Sequence, residues 1–172
     1  MSTAIASPAA ASLGDATRER FAREVAKYPA DQTQSAVMAC LSIVQQEQGW
    51  VSPASEKAVA DYLGMPVMAV HEVTTFYNMY NQKPVGRFKL NVCTNAPCMF
   101  AGGPEALRHL CGKLGVEPYG TTADGQFTVQ PSECLGACGD APVMLVNDRH
   151  MCSFMSNDKL DQLVDGLRQA ED

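Results

Sequence analysis

An α/β fold with a helical preface is the class this sequence predicts, from three observations. Residues 17–80 show only helical spacing of apolar positions, the pattern switches to a period of two at Phe88, and strand-like and helix-like segments then alternate to the C-terminus. The expected arrangement is a small all-helical N-terminal unit followed by a central sheet with helices packed on it. The expected divisions are a mobile N-terminal tail over 1–16, a helical domain over 17–82 and the sheet-containing domain over 83–172.

Four helices account for the first part. Phe21, Val25 and Tyr28 recur at helical spacing among charges, and Pro29 ends that helix. Val37, Cys40, Leu41 and Val44 form the stripe of the second, with Gly49 where a helix stops. Ser52 followed by Pro53 reads as an N-cap with proline in the first turn, opening a third helix through Val59 and Leu63 to Gly64. After Pro66, the residues Val67, Val70, Val73, Phe76 and Tyr77 give a fourth helix whose apolar surface is broad enough to pack on more than one side.

The helical pattern breaks in NQKPVGR, from Asn81 to Arg87. RFKLNVC then alternates Phe88, Leu90 and Val92 with Lys89 and Asn91, a strand with one buried face that ends on Cys93. A turn through CTNAPC and Gly102, Gly103 and Pro104 leads into a helix carrying Leu107, Leu110, Cys111 and Leu114, stopped at Gly115. A turn-rich stretch precedes a short strand over 126–130. VMLVN and RHMCSF read as a hairpin around Asn147 and Asp148, and Ser156 or Asn157 caps a final helix with Leu160, Leu163, Val164 and Leu167 on its buried stripe.

Composition narrows the function. The 172 residues are 46% hydrophobic, enough for a packed core, and the net charge of −6 provides no footprint for nucleic acid or anionic lipid. No apolar run reaches the roughly 18 residues of a membrane helix, so no direct membrane insertion is expected. The opening residues resemble neither a secretory signal nor an arginine-rich transit peptide, which favours the bacterial cytoplasm over the mitochondrial matrix. Seven cysteines, an odd number without an export signal, point to metal or free thiols rather than a disulfide framework.

Four of those cysteines form two short pairs, Cys93 with Cys98 in CTNAPC and Cys134 with Cys138 in CLGAC, thirty-five residues apart. Two loops with two sulfurs each can hold a [2Fe–2S] cluster, whose positive irons offset the repulsion among four thiolates. Asn95, Pro97 and Gly136 suit the sharp turns this requires. Structural zinc also accepts four thiolates and stays open at this point. A dithiol redox site is disfavoured because no Cys-x-x-Cys is present, and a Rieske centre because His71, His109 and His150 do not sit beside a pair.

GWVSP at 49–53, VTTFYNMY at 73–80, CTNAPC and ECLGACGDAP occur here in order, and together they resemble the thioredoxin-like ferredoxin subunit of respiratory complex I, the NADH:quinone oxidoreductase, over residues 18–168. The resemblance implies a thioredoxin-like domain with a central mixed sheet, and one [2Fe–2S] cluster with Cys93 and Cys98 on one iron and Cys134 and Cys138 on the other. It implies single-electron exchange with FMN on a partner subunit that binds flavin and NADH, alongside other peripheral-arm iron–sulfur subunits, the whole reaching the inner membrane through the complex. No catalytic residue and no GxGxxG fingerprint is found, so NADH oxidation by the chain alone is not expected. Equivalent subunits of NAD-linked hydrogenases or formate dehydrogenases fit the same residues, and a zinc-stabilised interaction module is the non-redox alternative.

The remaining candidates take structural expectations. Cys40 and Cys111 fall on helical stripes and Cys152 in a strand, where thiols act as small hydrophobes. Glu133 is expected to be an exposed loop carboxylate, with adjustment of a neighbouring metal's potential as its sharper role. Phe76, Tyr77 and Tyr80 are expected in core or interdomain packing, or as a patch for the flavin subunit. Met99, Phe100 and Met151 are expected to fill the core or exclude water near the cysteines.

Overall fold

The computed structural model describes residues 13–170. Most of the expected tail lies outside the described residues, and the first helix, α1, begins at Asp15 and ends at Val25. The backbone forms two compact units divided between Pro84 and Val85.

The first unit is helical. After α1, a 3-10 turn over Thr33–Ala36 leads into α2 (Val37–Gln48), α3 (Pro53–Leu63) and α4 (Val67–Phe76). Ser52 caps α3 as its sequence suggested, its Oγ accepting from the Ser55 N–H at 3.1 Å, and Pro53 occupies the first turn. The core joins Phe21 to Cys40, Leu41, Val44, Val59, Leu63 and Val70. Tyr28 departs from expectation: α1 stops three residues before it, so it leaves the stripe and is exposed. The fourth helix also buries less than its apolar content suggested. Its wide apolar arc is only partly covered, with Val70 and Thr74 sealed and Phe76 80% exposed.

The second unit holds β1 (Phe88–Cys93), α5 (Ala96–Phe100), α6 (Gly103–Leu114), β2 (Gly120–Thr121), β3 (Phe127–Ser132), β4 (Met144–Val146), β5 (His150–Cys152) and α7 (Asn157–Gln169). The strands form one mixed sheet in the order β2-β3-β1-β4-β5, with β1 and β3 parallel and the other pairs antiparallel. Leu90, Val92, Phe127, Val129, Met144 and Val146 pack against Ala106 and Leu110 of α6 and Leu160 and Val164 of α7. Asn147 and Asp148 both take positive φ, 51° and 56°, the paired left-handed residues that a two-residue hairpin favours.

One strand expectation is corrected. Alternation in β1 suggested that Lys89 and Asn91 face water, yet both are buried, at 2% and 5% exposure. A central strand flanked on both sides is covered by the protein: Asp148 in the hairpin turn stands 2.6 Å from Lys89 Nζ and accepts from Asn91 Nδ2 at 2.6 Å, while Asn91 Oδ1 is buried without a hydrogen-bond partner among the described residues. Pro131 is tolerated inside β3 because β2 reaches only Thr128 and Val129, leaving one side of β3 unpaired beyond them.

Candidate metal centre

Strand pairing gathers the cysteine loops. Cys93, the last residue of β1, is register-paired with Ser132, the last residue of β3, so two parallel strands end side by side and Cys134 follows two positions later. The ladder continues one step further, with the Thr94 N–H donating to the Ser132 carbonyl at 3.1 Å. The Cys93 N–H donates to the Val143 carbonyl at 3.0 Å and so ties in the chain returning from the second loop.

The first pair is built into regular structure. Where the sequence suggested only a turn, α5 forms, because Asn95 caps it through Oδ1, accepting from the Ala96 N–H at 3.2 Å, and Pro97 suits its first turn. Cys98 sits inside this short helix and is 1% exposed; Cys93 is 2% exposed. With Val143 they form a small buried cluster against which Leu135, Ala137 and Ala141 pack. Gly103 lets α6 start directly on this pair. A Cβ there would stand 2.5 Å from the Cys93 carbonyl oxygen and 2.9 Å from that of Cys98, closer than atoms pack.

The second pair lies in irregular chain and is exposed. The sulfurs of Cys134 and Cys138 are 3.9 Å apart, and two thiolates on one tetrahedral ion at about 2.3 Å stand roughly 3.8 Å from each other. Gly136, at φ 77°, turns its N–H toward Cys134 Sγ at 3.4 Å. A strap holds the far side of the loop: the Phe154 N–H donates to the Asp140 carbonyl at 2.8 Å, and the Met155 N–H to the Pro142 carbonyl at 3.0 Å.

The donor chemistry suits a cationic iron–sulfur group. All four thiols are free. Burial pushes the Cys98 thiol up, against the Val143 backbone hydrogen bond, and the neighbouring Cys93 and Cys138 add to the rise. Cys138 is raised first by its hydrogen bond with Cys134, then by the charge there, by burial and by Cys93. Thiolates so crowded become favourable beside a metal cation, whose binding releases their protons. Among the described residues no three His, Cys, Asp or Glu side chains stand close enough to enclose an ion, so the fit rests on this donor set and its backbone donors.

One partner pair was invisible in the sequence. Asn95 Nδ2 donates to Glu133 Oε2 at 2.7 Å, joining the two cysteine loops across 38 positions. An asparagine inside one cysteine run and an acid beside the other were the available signals, and neither names its partner.

The other candidates separate clearly. Cys40 is buried, its thiol pushed up to about 12 by burial and then by Glu24, while Cys111 and Cys152 are half-buried. His71 pairs with Glu56 at 3.0 Å and His109 with Asp161 at 2.8 Å, and His150 begins β5. Tyr80 is buried and donates to the Met38 carbonyl at 2.9 Å, whereas Phe76 and Tyr77 meet edge to face on the surface. Met99, Phe100 and Met151 are exposed and fill no core.

The sequence profile described as thioredoxin-like [2Fe-2S] ferredoxin matches residues 21–168. The chain belongs to that family. As a thioredoxin-like ferredoxin it resembles a subunit of the NADH-quinone oxidoreductase of Rickettsia conorii, at 37% identity over 84% of this chain and 86% of the relative. A second relative, an NADH-quinone oxidoreductase subunit of Rhizobium meliloti, is 40% identical over 90% of both chains. Among solved structures, an NAD+-reducing [NiFe]-hydrogenase in the H2-reduced state shares the fold, with a TM-score of 0.66 at 21% identity over 76% of this chain. The ferredoxin spans 22% of that hydrogenase chain. Among the described residues no helix is long and apolar enough to cross a membrane.

Proposed function

We propose that this chain is the electron-transfer subunit of an NADH:quinone oxidoreductase, holding one [2Fe–2S] cluster with Cys93 and Cys98 on one iron and Cys134 and Cys138 on the other. The observation that carries the reading is the pairing of Cys93 with Ser132, which brings two thiol-bearing loops to one end of the sheet. The family match and the names of relatives at 37% and 40% identity support it. When bound, the [2Fe–2S] group supplies a carrier for one electron at a time.

The chain's own residues tune and shield that carrier. Cys93 and Cys98 are anchored in a dry pocket by Val143 and Gly103, while Cys134 and Cys138 lie on the exposed side, from which an electron can reach the protein. The Gly136 N–H faces the Cys134 sulfur at 3.4 Å and favours added negative charge there. NADH and FMN belong on a partner subunit, since this sequence carries no dinucleotide fingerprint. Electrons are exchanged with that FMN, in company with other peripheral-arm iron–sulfur subunits. The chain works in the bacterial cytoplasm, against the inner membrane through its complex, and its second unit is the ferredoxin domain. Isolating the tagged chain from its own cells tests this assembly. Recovery with a flavoprotein that oxidises NADH and reduces quinone is expected; recovery with a hydrogenase or formate dehydrogenase overturns it.

A further inference from the structure

Glu133 immediately precedes Cys134, and its carboxylate does not hang free: Asn95, which lies between Cys93 and Cys98, donates to it at 2.7 Å. The same Asn95 side chain uses its other end, Oδ1, to accept from the Ala96 N–H and cap the helix that holds Cys98. One amide therefore fixes the buried cysteine of one loop and the acid of the other. The bond is solvent-exposed, where such contacts add little stability. Its effect falls instead on where a negative charge is held relative to the sulfurs.

We infer that Glu133 is a positioning residue for the cluster: clasped by Asn95, its carboxylate fixes a negative charge beside Cys134 and holds the one-electron reduction potential low. This rests on the ligand reading proposed above. Reduction adds one electron, and so one negative charge, to a group already surrounded by four thiolates, and a carboxylate held nearby disfavours that step. A carboxylate free to swing into water would be better screened and would disfavour it less.

The test is an EPR-monitored redox titration of the full-length holoprotein with dithionite as reductant. Glu133→Gln keeps an acceptor for Asn95 and removes the charge. It is expected to make reduction about tenfold more favourable, which is about 59 mV upward, with cluster content and visible spectrum unchanged. Glu133→Asp keeps the charge and is expected to stay near the parent potential. Asn95→Ser keeps a cap for α5 and releases the carboxylate, giving a smaller upward shift; it decides the matter if Glu133→Gln binds the cluster poorly. An unchanged potential in both Glu133→Gln and Asn95→Ser overturns the inference while leaving the ligand reading intact, and equal shifts in the Gln and Asp variants overturn it in favour of loop shape. A parent protein without a [2Fe–2S] signal overturns both.

Discussion

The two cysteine pairs are held in opposite ways. Cys93 and Cys98 are buried, one at a strand end and one inside a capped helix, with α6 seated on their backbone through Gly103. Cys134 and Cys138 stand in exposed irregular chain, fixed by backbone turns and by the strap to Phe154 and Met155. The contrast teaches that one half of the proposed site is a by-product of folding, whereas the other depends on local loop geometry. Stability and cluster retention should therefore separate on substitution.

The largest expected effect is on the cluster. Replacing Cys98 or Cys134 by serine should each reduce the visible absorbance of the reconstituted protein at least tenfold, by our order-of-magnitude expectation for losing one of four thiolate ligands. The apoproteins should then differ in urea unfolding. Cys98→Ser places a hydroxyl in a dry pocket and should cost about 1–3 kcal/mol, whereas the exposed Cys134→Ser should stay within about 0.5 kcal/mol. Equal losses of stability would break the comparison.

Two glycines sharpen it. Gly103→Ala drives a Cβ against two carbonyl oxygens and should cost about 1–3 kcal/mol, lowering cluster retention through the buried pair. Gly136→Ala meets no atom within 4 Å and pays only for its left-handed backbone, about 1–2 kcal/mol. Denaturant midpoints of the two apoproteins, read beside their iron content, check both values. Away from the cysteines, Ser52→Ala should cost about 1 kcal/mol by loss of the α3 cap, with iron content unchanged.

The smallest expected effect concerns pH. The hydrogen bond from His109 holds the Asp161 carboxyl below its usual range against the cost of burial, and Lys113 adds to this. Because the folded value is depressed, the stabilisation is present above the ordinary carboxylate range and is lost as pH falls through the folded value. Urea midpoints of parent and Asp161→Asn should therefore differ at neutral pH and converge in acid. A gap that persists or widens in acid would contradict that origin.

Much of this was legible because the signals are local. Ser52 with Pro53 marked a helix start, Asn147 with Asp148 marked a hairpin, and the short cysteine spacings marked the two loops that the ends of β1 and β3 bring side by side. What escaped depends on partners far along the chain. Asn95 and Pro97 suit a turn as well as a helix start, so α5 was hidden; β2 is two residues long and exists only by pairing with β3. The burial of Lys89 depends on an aspartate fifty-nine positions later, and the Asn95–Glu133 bond spans 38. Phe76 and Tyr77 were legible as apolar but not as exposed, because periodicity shows a stripe and not what covers it.

Metal and spectroscopic analysis of the purified full-length chain tests the central claim most directly. About two irons and two sulfides per chain are expected, with visible bands that bleach on dithionite reduction as an EPR signal of a single spin appears. A colourless protein carrying one zinc, with no EPR signal after dithionite, would contradict it.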